Sequence, residues 1–217
     1  MFKIDSVEKR MNCTINEIIE SILREYEMID NLEVEVRLGY LIDKITHTRV
    51  ELNVMLPIVY NSITPFYYFK SGVSQTDFQN YLSLFKSMTP TVYNDTVSIN
   101  SSNIRKIKVK DSEDVIFEKK VRLKDITIYM PSNDYDLRIS ISREEIKEKI
   151  VPFTTNFIRE RERKSFKMND LTLDFTTVKN KGSKDAIYEI ELEGRTKKYD
   201  IKNFINKAIE MSYKVKN

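Results

Sequence analysis

Two segments of this sequence alternate glutamate with apolar residues. Residues 188–194 read YEIELEG and residues 33–39 read EVEVRLG. Isoleucine, leucine and valine favour extended backbone, and alternate side chains of a strand point to opposite faces, so each segment predicts a strand with one acidic and one apolar face. Carboxylates two residues apart lie roughly 7 Å apart, and each pair costs about 2 kcal/mol in repulsion at an effective dielectric of about 20. Such a face either points to solvent, which screens the repulsion, or faces positive charge.

The composition limits the classes of protein to which the chain can belong. Its 217 residues fit one large domain, 41% of them are hydrophobic, and no linker divides them, so we predict a single domain over residues 1–217. The four glycines form neither a GxGxxG nor a GxxxxGK[ST] motif, which argues against a glycine-rich nucleotide loop. A net charge of +3 is too small to favour nucleic acid by bulk electrostatics, so an anion site requires local clustering.

Cysteine and histidine are almost absent. The single cysteine, Cys13, excludes an internal disulfide and a cysteine-based zinc site, and it indicates a reducing compartment. His47 is the single histidine, so no other histidine could activate the Cys13 thiol as a base. We expect Cys13 and His47 to be structural. No 18-residue apolar run and no signal peptide occurs, so we expect a soluble intracellular protein that does not bind membranes.

Three segments have the apolar spacing of amphipathic helices. Ile15, Ile18, Ile19 and Ile22 follow Thr14 at helical intervals, which predicts an N-terminal helix over about 14–29 with Thr14 as its N-cap. The same spacing predicts helices over 76–88 and, at the C-terminus, over about 201–213.

Extended segments make up most of the remaining chain. We predict strands at 32–38, 47–56, 104–110, 114–120, 124–130, 135–142, 156–166, 171–178 and 187–193. The short gaps between them favour antiparallel connections, so the fold class is α+β with mainly antiparallel β-structure. Several strands carry charge on one face, as in the RERER run at 159–163. A sandwich with its charged face outside or a barrel with a polar lumen and an apolar exterior would produce this pattern.

The charged strand faces fall into two groups of opposite sign. The acidic group contains Glu33, Glu35, Glu189, Glu191 and Glu193, with Asp174 and Glu144 as additions. The basic group contains Arg37, Arg105, Lys119, Arg138, Arg159, Arg161 and Arg163. Clustered glutamates suit Mg²⁺ or Mn²⁺, and arginines suit phosphate oxygens, so together they indicate phosphoryl chemistry. The RERER run is also typical of a solvated strand face.

Seven motifs occur in order between about residues 30 and 195. They are EVEVRLG, IRK at 104–106, FEKK at 117–120, YMPSNDYDLRISISREE at 129–145, RERERKSF at 159–166, LDFTTV at 173–178 and YEIELEG. This set resembles the fungal-type RNA 5′-triphosphatases of the mRNA-capping apparatus, which belong to the triphosphate tunnel metalloenzymes. The resemblance implies a closed eight-stranded tunnel-like β-barrel with a few packed helices.

The resemblance also assigns roles to the acidic residues that match the family's motifs. Glu33, Glu35 and Glu193 are implied to be the direct ligands of a Mg²⁺ or Mn²⁺ ion. Glu189 and Glu191 are implied to hold metal-bound water or to position the attacking water.

The basic matches are implied to bind the substrate's phosphates. The family's tunnel cations correspond to Arg105, Lys119, Arg159, Arg161 and Arg163. Of these, Lys119 and Arg161 are implied to contact the γ-phosphate, while Arg37 and Arg138 complete the phosphate-binding group.

Three further matches and two departures complete the comparison with this family. Asp174 and Thr176 match residues that brace the basic side chains, and Glu144 matches a tunnel glutamate. Arg37 stands where the commoner ExExK motif has lysine, so a forked guanidinium replaces a point charge. Some members dock the guanylyltransferase through a tryptophan-containing segment, and this chain has no tryptophan, so the resemblance implies that partner only by analogy.

The expected activity is metal-dependent hydrolysis of the γ-phosphate from 5′-triphosphate RNA, the first step of capping, and the resemblance implies a nuclear location. One alternative is a tunnel metalloenzyme that acts on tripolyphosphate, thiamine triphosphate or free nucleotide, including Mn²⁺-dependent NTP hydrolysis. Another is a barrel that binds polyphosphate or RNA ends without catalysis.

Overall fold

The computed structural model describes residues 4–26, 28–60, 65–195 and 200–214. The helices and strands of these residues follow one another in this order: α1 (Ile4–Glu25), β1 (Leu32–Asp43), β2 (Ile58–Tyr60), β3 (Tyr67–Ser71), α2 (Gln75–Ser83), β4 (Thr91–Ile99), β5 (Ile104–Val109), β6 (Val115–Tyr129), β7 (Asp136–Lys147), β8 (Phe157–Met168), β9 (Leu171–Asn180), β10 (Ala186–Arg195) and α3 (Ile201–Lys214).

Eight of the strands close into an antiparallel barrel. The ring runs β1-β10-β9-β8-β4-β5-β6-β7 and returns to β1. Closure occurs at β1, where Val36 lies opposite Ile139 of β7 on one edge and Leu192 of β10 on the other. The short strand β3 continues the β10 edge of β1, and β2 pairs with β6. The prediction of a closed eight-stranded antiparallel barrel with a few packed helices is confirmed.

The hydrophobic core lies outside the barrel wall, between the strands and the helices. Val36, Ile139 and Ile190 are fully buried on the outer face, together with Ile19 of α1 and Phe204 of α3. The edge of the Phe78 ring in α2 meets Phe175 of β9, with ring centroids 5.5 Å apart. Because alternate side chains of a strand point to opposite faces, this apolar exterior turns the charged faces into the lumen.

The helix boundaries differ from the predicted ones at the N-terminus. Helix α1 begins at Ile4 and ends at Glu25, so Thr14 lies within it and is not an N-cap. Apolar residues continue at intervals of four through Val7, Met11 and Ile15, which extends the helical spacing past Thr14. Helix α2 begins after its N-cap Ser74 and ends at Ser83, before the predicted end at residue 88, whereas α3 ends one residue beyond the predicted 213.

Three strand predictions need correction. Residues 47–56 do not form a strand; Arg49 makes one bridge with Ile42 and holds the segment by two hydrogen bonds to the buried Asp136. The segments predicted at 114–120 and 124–130 are one strand, β6, with a bulge between Arg122 and Lys124. Strands β2, β3 and β4 were not predicted, and the ring cannot close without β4, because it joins β8 to β5.

Membrane crossing by a helix finds no support in the described segments, where each helix is too short or too polar to span a bilayer.

Candidate active site in the barrel lumen

The barrel encloses a charged cavity of about 180 Å³. Its charged lining consists of Glu33, Glu35, Arg37, Arg105, Glu118, Lys120, Glu144, Arg159, Arg161, Arg163, Glu189, Glu191 and Glu193, and Val97, Ile99 and Ile107 add an apolar patch. The strand register explains this set, because side chains directly opposite each other across a ladder share a face. Most of the predicted site residues are therefore brought together.

Lys119 is a correction to the predicted site. Glu118 and Lys120 line the cavity, so the alternation along β6 turns Lys119 to the outer face, where it lies opposite Glu145 of β7. The cation inside the lumen is Lys120, whose ammonium lies 2.5 Å from Glu33 Oε2 and 2.8 Å from Glu35 Oε2. The FEKK motif contains two adjacent lysines, and only the register of β6 decides which of them faces inward.

The predicted metal ligands lie on adjacent strands of the lumen. Glu35 of β1 lies directly opposite Glu193 of β10, and Glu33 is two residues along the same face. No group of three or more histidine, cysteine or acidic side chains in the described segments has the spacing of a metal site. The Lys120 ammonium lies between Glu33 and Glu35 instead. The donor set is all carboxylate, which fits Mg²⁺ or Mn²⁺, and the ammonium marks a position where these carboxylates attract a cation.

Arg37 contacts glutamates on two strands. Its Nη2 lies 2.9 Å from Glu191 Oε1 and 3.4 Å from Glu35 Oε2, and its Nη1 lies 3.8 Å from Glu189 Oε1. Burial lowers the pKa of this guanidinium, but the negative charges of Glu191 and the other glutamates raise it by more. The pKa is therefore above its ordinary value, and Arg37 stays charged. Its contacts place it among the carboxylates, whereas the sequence assigned it to phosphate.

The buried carboxylates differ in their pKa shifts. Burial raises the pKa of Glu35, but Arg37, Lys120 and Arg122 outweigh it and hold the pKa well below the ordinary value. Burial also raises the pKa of Glu191, but the positive charge of Arg37 opposes this effect and the pKa is lowered overall. At Glu189 burial prevails and raises the pKa. The two glutamates predicted to handle water thus have opposite tendencies to hold a proton.

Glu144 is a carboxyl group whose pKa is raised toward neutral pH. Burial, followed by the negative charge of Glu33, raises its pKa to about 7. Lys120 is 4.0 Å away and opposes this shift. Glu144 therefore adds a titratable group beside the predicted metal ligands.

The three arginines of β8 have different partners. Arg161 donates two hydrogen bonds of 2.8 Å to the carboxylate of Asp95 on β4. Arg163 Nη1 lies 3.0 Å from Asp174 Oδ2, which fits the predicted brace. The guanidinium of Arg159 lies 5.5 Å from the centre of the Phe157 ring. Asp95 was missed because β4 was not predicted as a strand.

Thr176 and Arg105 complete this side of the lumen. Thr176 is fully buried, and its hydroxyl oxygen makes no hydrogen bond to the described part of the chain, so the predicted bracing contact is not seen. Arg105 Nη1 lies 3.2 Å from Glu118 Oε1 on the neighbouring strand. Glu118 was absent from the predicted site although it lies in the FEKK motif.

Arg138 is on the inner face of β7 but is not among the residues that line the cavity. It lies directly opposite Arg37 in the β1–β7 ladder, and its guanidinium lies 4.9 Å from the centre of the Phe69 ring. The same ring lies over Gly39, where an added Cβ would be 2.7 Å from a ring carbon. Phe69 therefore packs against Arg138 and Gly39 beside the cavity lining.

Comparisons with known proteins give a family model and similar solved structures. A family model described as mRNA capping enzyme, beta chain, matches residues 9–119 and 103–216. The Pct1 RNA triphosphatase of S. pombe has a similar structure, with a TM-score of 0.76 and 20% identity, covering 90% of this chain and 82% of that one. Pct1 in complex with the Spt5 CTD gives a TM-score of 0.72 and 20% identity, covering 91% and 84%.

The search of curated proteins gives no match to this chain. At 20% identity the likeness to Pct1 shows the fold, and the family model, which matches most of the chain, shows the family. The chain therefore belongs to the mRNA capping enzyme β-chain family, with the tunnel fold of the fungal-type mRNA triphosphatases.

Proposed function

We propose that the protein removes the γ-phosphate from 5′-triphosphate RNA in a metal-dependent hydrolysis. The products are 5′-diphosphate RNA and phosphate, as in the first step of mRNA capping. The observation that carries the proposal is one closed lumen in which carboxylates on β1 and β10 adjoin arginines on β8. Family membership supports the reaction type.

The residues proposed to hold the metal are Glu33, Glu35 and Glu193. When bound, Mg²⁺ or Mn²⁺ supplies positive charge to the γ-phosphate oxygens. Lys120 is a long, flexible side chain whose ammonium lies between two of these carboxylates. We infer that it exchanges these contacts for a γ-phosphate oxygen when metal and substrate bind together.

Two of the β8 arginines have orientations fixed by neighbouring strands before substrate arrives. Asp95 holds Arg161 by two hydrogen bonds, and Asp174 holds Arg163. Fixed guanidinium groups lose little conformational entropy when they bind phosphate oxygens, so they stabilise the developing charge effectively. Arg105 and Arg159 lie in the same lining and bind the remaining phosphate oxygens.

The water that attacks phosphorus is positioned by Glu191 and Glu189. Arg37 keeps Glu191 ionised, so this carboxylate accepts a hydrogen bond from the water. The raised pKa of Glu189 makes it the better acceptor of the proton that the water loses. The water oxygen forms a bond to the γ-phosphorus, the bond to the β–γ bridging oxygen breaks, and the diphosphate end leaves with the electron pair.

A phosphate-release assay tests this function. Triphosphate-ended RNA, tripolyphosphate, thiamine triphosphate and ATP are compared with Mg²⁺, with Mn²⁺ and with a chelator. We expect metal-dependent release that is most efficient, by kcat/KM, with RNA. More efficient release from one of the smaller compounds would show that this compound, and not RNA, is the preferred substrate. Binding of RNA ends without phosphate release would indicate a non-catalytic barrel.

A nuclear location is proposed with this role, because capping acts on nascent transcripts. Fluorescence imaging of the tagged protein in its own cells tests the location. Docking of the guanylyltransferase through a tryptophan-containing segment is not proposed, since the chain contains no tryptophan.

A further inference from the structure

The lumen-facing charges change sign along three of the strands, whereas β10 carries glutamates and β8 carries arginines along the whole inner face. On β1 the order is Glu33, Glu35 and Arg37, and on β6 it is Glu118, Lys120 and Arg122. Strand β7 runs antiparallel to both and shows the reverse order, with Arg138 before Glu144. The acids of all three strands therefore lie toward the same end of the barrel.

The two ends can be identified by the turns that close them. The acidic mouth is the end where β1 begins and where the β5–β6 turn (110–114) lies, and this turn contains Asp111, Glu113 and Asp114 against one lysine, Lys110. The arginine mouth is the opposite end, which contains the β4–β5 turn (100–103) and the β9–β10 turn (181–185). That last turn contains Lys181 and Lys184 against one acid, Asp185.

We propose that triphosphate RNA enters the tunnel through the arginine mouth, with its γ-phosphate leading toward Glu33, Glu35 and Glu193. This inference rests on the proposed function. RNA carries one negative charge per nucleotide, so a mouth rimmed by acids repels it and a mouth rimmed by basic groups attracts it. Entry in this direction places the terminal phosphate beside the carboxylates and leaves the RNA chain among the basic groups.

One side of the arginine mouth has groups suited to the first nucleotides. Phe157, the first residue of β8, is 39% exposed, and Arg159 lies over its ring. The Nε of Arg159 is buried and makes no hydrogen bond to any described residue. Lys181 donates its backbone N–H to Ile158, which places the basic β9–β10 turn beside the start of β8. An exposed ring beside a guanidinium whose Nε donor has no partner among the described residues fits a stacked base and its phosphate.

The acidic mouth provides a matched aromatic residue for comparison. Tyr93 of β4 lies opposite Arg163 near the other end of β8 and is 47% exposed. It is close to the mouth where Glu33 and Glu144 lie. The two aromatic residues are comparable in exposure, each lies beside an arginine of β8, and they stand at opposite mouths, so they report on the direction of entry.

The first test compares Phe157→Ala with Tyr93→Ala. Losing one stacked base costs about tenfold in binding, so Phe157→Ala is expected to raise KM for triphosphate RNA about tenfold more than it raises KM for tripolyphosphate. Tyr93→Ala is expected to leave both values unchanged. A selective rise for RNA in Tyr93→Ala, or equal effects of Phe157→Ala on both substrates, would overturn the direction.

The second test locates the RNA without turnover. A short RNA with a β,γ-imido triphosphate end and 4-thiouridine at its first two positions is bound with Mg²⁺ and cross-linked by light. Labelled peptides that contain Phe157 or Lys181 support entry at the arginine mouth. Labelling at Tyr93 of the acidic mouth, or at neither mouth, contradicts it. Cross-linking at Phe157 by a protein that releases no phosphate from normal RNA would contradict the proposed function and leave the direction intact.

Discussion

The outer and inner faces of β10 show how one strand serves two purposes. Leu192 points outward and is 1% exposed, in the layer between the barrel and the helices, whereas its neighbours Glu191 and Glu193 point into the lumen. Burial of the outer face fixes the register, because a slip of one residue would exchange the two faces. The apolar layer therefore determines where the charges lie, and the charges determine what can bind.

The largest effect is expected from the inner face. Glu193→Ala removes a proposed metal ligand and should lower metal-dependent phosphate release on the order of 10³-fold, because metal coordination contributes several kcal/mol to the transition state. The thermal midpoint should stay the same or rise, since the substitution relieves repulsion with Glu35 across the ladder. Normal turnover in a folded Glu193→Ala protein would remove Glu193 from the ligand set.

A substitution on the outer face of β10 should change the free energy of unfolding. Leu192→Ala creates a cavity in the layer between barrel and helices and should lower the free energy of unfolding by about 3 kcal/mol. Denaturant unfolding monitored by circular dichroism measures this change, and kcat of the remaining folded protein should be close to normal. A stable Leu192→Ala protein with low kcat would show that the two faces do not have separate roles.

Adjacent lysines of β6 allow the same comparison on a second strand. Lys120→Ala should lower kcat about 100-fold, because it removes the cation between Glu33 and Glu35, whereas Lys119→Ala on the outer face should be nearly normal. Steady-state phosphate release from triphosphate RNA measures both. A large loss in Lys119→Ala with little in Lys120→Ala would mean that the register of β6 is wrong.

A smaller effect is expected where one lumen residue acts through another. Asp95→Asn weakens the paired hydrogen bonds that orient Arg161 and should lower kcat/KM about tenfold. Asp111→Asn, in the β5–β6 turn, is the matched control and should change little. Equal losses in the two variants would indicate a general effect of charge instead of the orientation of Arg161.

Most of the acidic lining could be predicted from the sequence because alternation is a local signal, whereas the closed barrel was implied by the resemblance to the family and not by alternation. Glu33, Glu35 and Glu193 stand in strands whose other face is purely apolar. Strand β4 could not be predicted this way. The successive residues Tyr93 and Asn94 are both exposed, so neither face of this part of the strand is purely apolar, and Asp95 interrupts the pattern further. The assignment of Asp95 to the site required the closed ring.

Choices between adjacent residues also required the fold. Lys119 and Lys120 differ only in the face of β6 on which they lie, and the FEKK motif does not decide between them. Arg138 has the correct alternation for the lumen, but Phe69 of β3 packs against it and Ser71 of the same strand accepts a hydrogen bond from it, and Ser71 is 67 residues away in sequence. Long-range packing of this kind leaves no mark on local periodicity.

The central claim is that Glu33, Glu35 and Glu193 hold one divalent cation in the lumen. A crystal structure with Mn²⁺ and the imido-triphosphate RNA, with anomalous scattering used to locate the metal, tests it most directly. We expect one Mn²⁺ bound by these three carboxylates, with the Lys120 ammonium in contact with a phosphate oxygen. Mn²⁺ bound elsewhere, or Lys120 still paired with Glu33 and Glu35 beside a bound triphosphate, would contradict it.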